Sequence, residues 1–192
     1  MAVHTRLIKS EISDILSVYR IGNLLNFSGI QEGIENTNYK IKTTNNYYIL
    51  TIFEERVNKK NLPFFLNLML NCSKKKICCP KPILDTSGKL TNNFKKKKIA
   101  LFSFLTGKSK KNWSEINCFD VGKTLGEFHT VNKSFKDKIS NEFGLVFWKE
   151  IFKKMDRFKL DSIIPGIHKL LKKELEIINH SWPKNLPKGI IH

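Results

Sequence analysis

The sequence predicts an α+β fold in which an antiparallel sheet is followed by a mainly helical part. Three short runs rich in aromatic and β-branched residues are separated by polar turns: Phe27–Ile30, Asn38–Lys42 and Tyr47–Phe53. A further apolar run, Ile99–Leu105, has the length of one more strand. From Ser114 onward the apolar residues recur mainly at helical spacing, so we expect helices there.

A short helix is predicted before the sheet. Ser10 can serve as its N-cap, and the helix is expected to end before Gly22. Apolar residues recur at helical spacing at Ile12, Ile15, Leu16 and Tyr19. This pattern indicates one buried face, which we expect to pack on the sheet.

The two turns between the first three runs differ in composition. Thr43–Asn46 is typical of an ordinary hairpin connection. Gln31–Thr37 contains Gly33, Asn36 and Thr37, which can expose backbone N–H groups and small side chains. A turn of this kind can cap a phosphate chain, because successive N–H groups form a concave anion site.

The segment between the third and fourth strands begins with a predicted helix, Phe64–Leu70, with Pro63 in its first turn. Cys79–Leu84 is expected to be extended because of its two prolines. The basic run Lys95–Lys98 is short and isolated. A solvated hairpin turn before a buried strand explains this run better than a polyanion site does.

Three helices are predicted in the second half. Ser114 can cap the first, Gly144 precedes the second, and Trp182-Pro183 ends the third. We interpret their stripes of Phe, Trp and Met as core residues without a chemical role. The last residues, 187–192, are expected to begin as a short buried strand and to continue into a loop.

Two familiar phosphate-binding motifs are excluded. Asp120–Thr124 contains the Gly-Lys-Thr of a Walker A loop, but Asn117 occupies the position of the required first glycine. The tripeptide also falls within a predicted helix, where its N–H groups cannot wrap a phosphate. Gly29 and Gly33 do not form the Gly-x-Gly-x-x-Gly of a dinucleotide-binding turn.

Composition narrows the class of protein. The 192 residues include 34 Lys and Arg against 17 Asp and Glu, a formal net charge of +17. Lysines are spread along the whole chain and only four arginines occur, so compositional drift explains the charge better than a nucleic-acid surface does. No apolar stretch is long enough to span a membrane, and the N-terminus lacks a secretory signal. We therefore expect a cytoplasmic protein without a membrane or nucleic-acid partner, with its four cysteines as structural thiols.

Several stretches of the sequence resemble bacterial homoserine kinases, which belong to the choline kinase and aminoglycoside phosphotransferase superfamily. The resemblance runs along the whole chain. The matching stretches lie at residues 29–39, 48–57, 61–66, 79–82, 104–107, 125–129 and 186–192.

This resemblance implies a protein-kinase-like α+β fold, with an antiparallel-sheet nucleotide-binding lobe in residues 1–105. Residues 106–192 would be the hinge and the first helices of a mainly helical C-terminal lobe. The implied activity is transfer of the ATP γ-phosphate to L-homoserine with Mg²⁺, in threonine biosynthesis. The alternatives are a related kinase for choline or an aminoglycoside, and a non-catalytic nucleotide- or nucleic-acid-binding remnant.

The resemblance assigns the nucleotide contacts to two regions and to a few apolar neighbours of the adenine base. Phosphates are placed at the turn that includes Gly33, and adenine at backbone groups near Ser103 and Leu105. The implied nucleotide-binding residues are Gly33, Asn36, Thr37, Asn38, Ile49, Ser103 and Leu105, with Ile30 and Phe102 as further neighbours of adenine.

Two departures from the general kinase pattern matter. Thr51 occupies the third-strand position that usually holds a basic residue, a trait that homoserine kinases of this type share. The second concerns the catalytic loop, whose pattern is His-x-Asp followed by Asn. His192 corresponds to its first residue, so the aspartate base and the metal ligands are expected beyond it. The sequence therefore predicts a truncated chain that does not phosphorylate homoserine by itself.

Overall fold

The structure is a computed structural model that describes residues 3–33, 35–54, 58–108, 110–141 and 144–191. His192, Arg56 and Val57, which contribute to the sequence motifs, lie outside the described residues. Within the described part there are six strands and six helices. All six strands lie before residue 104 and four of the helices follow them, as expected for the predicted α+β class. The elements are α1 Lys9–Leu16, β1 Leu24–Ile30, β2 Asn36–Thr43, β3 Tyr47–Phe53, α2 Leu62–Lys74, β4 Pro82–Ile83, β5 Asn92–Phe94, β6 Lys97–Ser103, α3 Glu115–Val131, α4 Leu145–Lys154, α5 Arg157–Ile163 and α6 Ile167–Ser181.

The chain divides into two compact units. One comprises Met1–Asp137 with Gly189–His192, and the other comprises Lys138–Lys188. The sheet, α1, α2 and α3 belong to the first unit. The two units are defined by how densely their residues contact one another, and this division does not test a boundary between lobes. The lobe boundary predicted at residue 105 therefore stays a prediction.

The sheet is antiparallel, with strand order β1-β2-β3-β6-β4, and β5 also pairs with β6. Directly opposed residues of an antiparallel pair project their side chains from the same face. The register aligns Tyr39 with Leu50 and Leu50 with Leu101, and these three side chains are buried in one cluster with the helix α1. We call this side of the sheet the α1 face.

The opposite side of the sheet is partly covered by α2. Leu62 and Leu66 of this helix pack against Phe53, Ala100 and Phe102. Ile49, which is opposed to Phe102 in the register, contacts the same cluster. We call this side the α2 face. It differs from the α1 face because its β2 side chains, Asn36, Asn38 and Lys40, are polar and only partly buried.

Helix α2 has Pro63 in its first turn, as predicted, and β3 has the predicted bounds. Ser114 caps α3 by accepting a hydrogen bond from the Asn117 N–H, as the sequence indicated. The predicted cap of α1 is wrong. The helix begins at Lys9, and Ile8 holds the cap position, where its N–H donates to Glu11 Oε2 at 3.0 Å.

The interpretation of the later helical stripes as core is not supported within the described residues. Helices α3 to α6 bury no side chain fully, and the stripe residues Val121 and Leu170 are 55% and 52% exposed. The predicted strand near the C-terminus is also wrong for the described residues, since 185–191 contain no strand. A strand requires a paired neighbour, and no described strand lies beside this segment.

A hydrogen-bonded network ties the N-terminal segment to the α1 face. The Thr37 hydroxyl is fully buried, accepts the backbone N–H groups of His4 and Thr5 at 2.9 and 3.0 Å, and donates to Glu54 at 2.7 Å. Thr5 Oγ1 also donates to Glu54, and Lys97 completes the network with a salt bridge to the same carboxylate. Nearly every polar group of this cluster is therefore paired.

Burial raises the pKa of Glu54, but hydrogen bonds from Lys97, Thr37 and Thr5 outweigh it and hold the pKa below its ordinary value. A carboxyl group with a lowered folded-state pKa stabilises the fold above its unfolded-state pKa. That contribution is lost as the pH falls through the folded-state pKa. The pKa values of Glu11 and Asp85 are also lowered, by hydrogen bonds from Lys95 and from the Lys89 backbone respectively, so they act in the same direction.

We predict that Glu54→Gln lowers the free energy of unfolding at pH 7 by about 1–3 kcal/mol, because a buried charge-assisted network loses its anion. The difference from the wild type should begin to shrink as the pH falls below the unfolded-state pKa of a glutamate, about 4.3, and should be lost as the pH falls through the lowered folded-state pKa of Glu54. Urea unfolding followed by circular dichroism at pH 7 and pH 3 measures both effects. Glu32→Gln, at an exposed position, is the control, and a Glu54→Gln effect that is equal at both pH values would contradict the prediction.

Candidate nucleotide site

The turn between β1 and β2 is exposed and begins the candidate site. Gly33 has a φ of +100°, in the left-handed region that favours glycine, and a Cβ added there would meet nothing within 4 Å. Ile34, which follows it, lies outside the described residues. The turn therefore combines an unusual backbone conformation with open space around it, as a loop that approaches a ligand requires.

Asn36 and Thr37 are not turn residues, because β2 begins at Asn36. Because successive side chains of a strand project from opposite faces, the side chains of these two residues lie on opposite faces of the sheet. The Thr37 hydroxyl points into the buried network with Glu54 and has no contact with the open side. A hydroxyl that accepts two hydrogen bonds and donates one has no capacity left for a ligand. The predicted nucleotide contact of Thr37 therefore stays a prediction that concerns its backbone groups.

Asn36 and Asn38 lie on the α2 face beside Thr51. The Thr51 hydroxyl donates a hydrogen bond of 2.7 Å to Asn38 Oδ1. Asn36 Oδ1 is buried and has no partner among the described residues. Asn38 is only partly buried, and Thr51 is 8% exposed. These side chains form a polar strip next to the start of β2, with the glycine turn at its end.

An apolar area continues this face toward the other end of the strands. Ile49 and Phe102 are directly opposed on β3 and β6. Ile30, at the end of β1, is opposed to Asn38 and therefore lies beside the polar strip. Ile30 and Ile49 are partly buried, and Phe102 is 8% exposed. The three predicted apolar neighbours of adenine thus project from one face of one sheet.

The segment after β6 provides the second predicted contact region. The Ser103 N–H donates to the Lys81 carbonyl at 2.9 Å, and its hydroxyl accepts from the Lys81 N–H at 2.8 Å. These bonds occupy the Ser103 groups in pairing with the neighbouring segment. The backbone of Leu105, by contrast, has no hydrogen bond to any described residue, and its side chain is 42% exposed. Leu105 is thus the better placed of the two for a ligand contact.

Aromatic and basic side chains meet at the far end of the α2 face. Lys40 Nζ lies 4.3 Å from the centre of the Phe104 ring and 5.0 Å from that of Tyr47. The two rings are 6.0 Å apart. A lysine over aromatic faces is held by cation–π attraction, so Lys40 is committed to this end of the sheet and not to the glycine turn.

A separate cavity of about 790 Å³ lies between α2 and α3. Its walls are mostly apolar side chains and cysteine thiols, and Asp120 is the one charged residue among those that line it. None of the residues predicted to bind nucleotide contributes to it. A cavity of this composition does not match a triphosphate or a zwitterionic amino acid.

Helix α3 contains the rejected Walker-like tripeptide. Gly122, Lys123 and Thr124 lie in the interior of the helix, as the sequence analysis expected, and Thr124 Oγ1 donates to the Asp120 carbonyl at 2.8 Å. The helix is tied to α2 near its C-terminal end, where Asn71 Nδ2 donates to the buried Asn132 Oδ1 at 2.7 Å. The tripeptide is therefore part of a helix and does not form a phosphate-binding loop.

His129 is partly buried near the end of α3. Its Nε2 has no hydrogen-bond partner among the described residues. The described part of the chain contains no group of three His, Cys, Asp or Glu side chains placed to hold a metal ion. It also contains no helix that is both long and apolar enough to cross a membrane.

Comparisons with known proteins identify the family and the fold of the chain. A family model described as "Phosphotransferase enzyme family" matches residues 26–192. The homoserine kinase of Methylobacterium radiotolerans is 35% identical over 192 residues, which is 100% of this chain and 60% of that protein. The homoserine kinase of Rhodopseudomonas palustris is 36% identical over 193 residues, covering 100% of this chain and 59% of that protein. The chain thus spans about 60% of the length of these relatives.

Two solved structures show the same fold. A spectinomycin phosphotransferase in complex with ADP and spectinomycin has a TM-score of 0.62 and 16% identity, over 94% of this chain and 60% of that one. An aminoglycoside phosphotransferase from Alicyclobacillus acidocaldarius has a TM-score of 0.58 and 11% identity, over 92% and 55% of the two chains. At these identities the likeness concerns the fold alone, and it confirms the predicted kinase-like α+β class.

We predict that the loss of ATP-binding free energy in Gly33→Ala is larger than its loss of free energy of unfolding. Alanine fits the open space but strains a φ of +100°, at a cost of about 1 kcal/mol, and displaces the backbone of the turn. Gly88→Ala is the matched control, since Gly88 also has a positive φ, +79°, and open space, but lies in the turn after β4. Calorimetric titration with ATP and thermal unfolding of both variants test this, and equal ATP affinities for the two variants would contradict it.

Proposed function

Because this chain belongs to the phosphotransferase enzyme family, we propose that it carries the nucleotide-binding part of an ATP-dependent kinase whose acceptor is the hydroxyl group of L-homoserine. The observation that carries the choice of acceptor is the identity of about 35% along all 192 residues to proteins named homoserine kinase. The solved structures support only the fold, so they give no reason to prefer spectinomycin or another aminoglycoside as acceptor.

The α2 face of the sheet has the distribution of groups that ATP requires. Its apolar pair Ile49 and Phe102 matches an adenine ring, and the unpaired backbone at Leu105 can hydrogen-bond the edge of the base. The polar strip and the glycine turn lie at the other end, where the phosphates would extend. The distance along β3 from Ile49 to Phe53 is about 13 Å at 3.3 Å per residue, enough for a nucleoside triphosphate.

In the proposed reaction the homoserine hydroxyl oxygen attacks the γ-phosphorus of ATP. A new phosphorus–oxygen bond forms, the bond to the bridging oxygen of the β-phosphate breaks, and ADP leaves. The hydroxyl proton passes to a base. The described residues hold and orient the nucleotide, and the resemblance assigns the base to an aspartate beyond His192, which stays a prediction.

Mg²⁺ is general for kinase chemistry, where it neutralises the phosphate charge. The residues described on the α2 face do not fit a metal site, because the polar strip consists of amides and a hydroxyl, and no cluster of metal ligands occurs in the described part of the chain. No step above therefore passes through the metal. The Mg²⁺ ligands of the whole enzyme stay a prediction together with the base.

We predict that the whole kinase isolated from its own cells, unlike these 192 residues alone, releases ADP from ATP in the presence of L-homoserine, and at least tenfold more slowly with choline or an aminoglycoside. The physical reason is that a pocket built for the charged ends of one acceptor leaves buried polar groups unpaired with another. A coupled ADP-release assay with the three acceptors at equal concentration measures this.

A preference for choline or an aminoglycoside would overturn the choice of acceptor and leave the family intact. Salt-dependent binding to unrelated DNA and RNA, without any preference for ATP, would overturn the kinase proposal itself and favour the nucleic-acid-binding alternative, for which the net charge of +17 is the one supporting observation.

A further inference from the structure

The third strand lacks the basic residue that usually holds nucleotide phosphates in kinases of this kind. Thr51 occupies this position on the α2 face, in the middle of β3. The residues directly opposed to Asn38 on its two neighbouring strands are Ile30 and Thr51, and both are uncharged. No lysine is therefore opposed to the polar strip at this point.

The lysines elsewhere on the same face are committed or distant. Lys40 and Lys42 both lie near the Tyr47 ring, with Nζ atoms 5.0 and 5.8 Å from its centre. Lys98 lies on β6, where it is opposed to Phe53 of β3. β6 is two strands away from β2, a separation of about 10 Å at 4.8 Å per strand. Among the described residues of this face, the groups available to a phosphate beside the polar strip are therefore neutral.

The hydrogen bond between Thr51 and Asn38 determines which neutral group can serve. The Thr51 hydroxyl donates to Asn38 Oδ1 at 2.7 Å, so the oxygen end of this amide faces β3. The other end, the Nδ2 group, carries two N–H donors and makes no hydrogen bond to any described residue. Asn36 carries the same two N–H donors, but no described hydrogen bond fixes its amide, whose Oδ1 is buried without a partner among the described residues. Asn38 is thus the donor of the polar strip whose orientation is fixed by a hydrogen bond across the strands.

We infer that the Asn38 amide donates hydrogen bonds from Nδ2 to a phosphate oxygen of the nucleotide, and that Thr51 is the positioning residue that fixes the orientation of this amide. The pair replaces the third-strand cation by a neutral donor. Hydrogen bonds from a neutral N–H to an ionised oxygen are strong in a partly buried site. The net charge of +17 supplies the long-range attraction that the site itself lacks. This inference rests on the proposed nucleotide binding.

The test compares ATP with adenosine, because adenosine has the base and ribose but no phosphate. Calorimetric titration of the 192-residue chain with each ligand gives two dissociation constants for each variant. Asn38→Asp keeps an oxygen that accepts the Thr51 hydrogen bond, removes both N–H donors and adds a negative charge. We expect ATP affinity to fall at least tenfold and adenosine affinity to change less than twofold.

Asn26→Asp is the matched control. Asn26 lies on β1, four residues before Ile30, so it is about 13 Å from the position opposed to Asn38. Its Oδ1 accepts the Phe27 N–H at 2.8 Å, and an aspartate can accept the same bond. This variant changes the net charge equally, so an unchanged ATP affinity here shows that the Asn38→Asp loss is local.

Thr51→Val and Thr51→Ser separate positioning from packing. Valine has nearly the same shape but cannot donate to Asn38, so ATP affinity should fall about threefold to tenfold while adenosine binding is retained. Serine keeps the hydroxyl and should stay within twofold of the wild type. A structural role for Thr51 would lower both affinities together, and that result would overturn its positioning role.

The outcomes distinguish this inference from the proposed function. Wild-type binding of ATP with an unchanged affinity in Asn38→Asp would overturn the inference and leave the kinase proposal standing. An equal loss for ATP and adenosine in Asn38→Asp would also overturn it, since the effect would then not depend on phosphate. Failure of the wild type to bind either ligand would overturn both proposals.

Discussion

The antiparallel register of β2, β3 and β6 is the constraint on which the rest of the described sheet unit depends. It aligns Tyr39, Leu50 and Leu101 on one face, where they join the buried cluster that contains α1. A slip of one residue would send this whole set to the other face. Such a slip is costly because Leu50 and Ile52 are fully buried. The positions of Asn38 and Thr51 on the α2 face therefore follow from the packing of their neighbours on the α1 face.

The same alternation explains why adjacent residues of one motif have different roles. Thr37 points inward and connects the N-terminal segment to Glu54, while Asn36 and Asn38 point to the α2 face. The N-terminal segment is held further by Tyr39, whose hydroxyl accepts the Leu7 N–H at 3.0 Å and donates to the Thr5 carbonyl at 2.9 Å. The buried side of β2 thus anchors the strand, and the glycine turn leads directly into its first residue.

Much of this architecture could be predicted from the sequence. The β-rich run Tyr47–Phe53 and the cap at Ser114 are strong local signals, and both are confirmed. The inward direction of Thr37 could not be predicted, because it depends on where β2 begins. The pairing of Thr51 with Asn38 depends on a register between two strands, and the short helix α5 lacks a clear apolar period. The Ile8 cap was missed because its hydrogen bond comes from the backbone and not from a capping side chain.

The most direct test of the account is a hydrogen-exchange comparison of the chain with and without ATP. If the α2 face binds the nucleotide, amides of the glycine turn, the start of β2 and the segment around Leu105 should exchange at least tenfold more slowly with ATP, since a bound ligand suppresses local opening. Protection confined to the cavity between α2 and α3, or no protection under saturating ATP, would contradict the central claim that this face of the sheet is the nucleotide site.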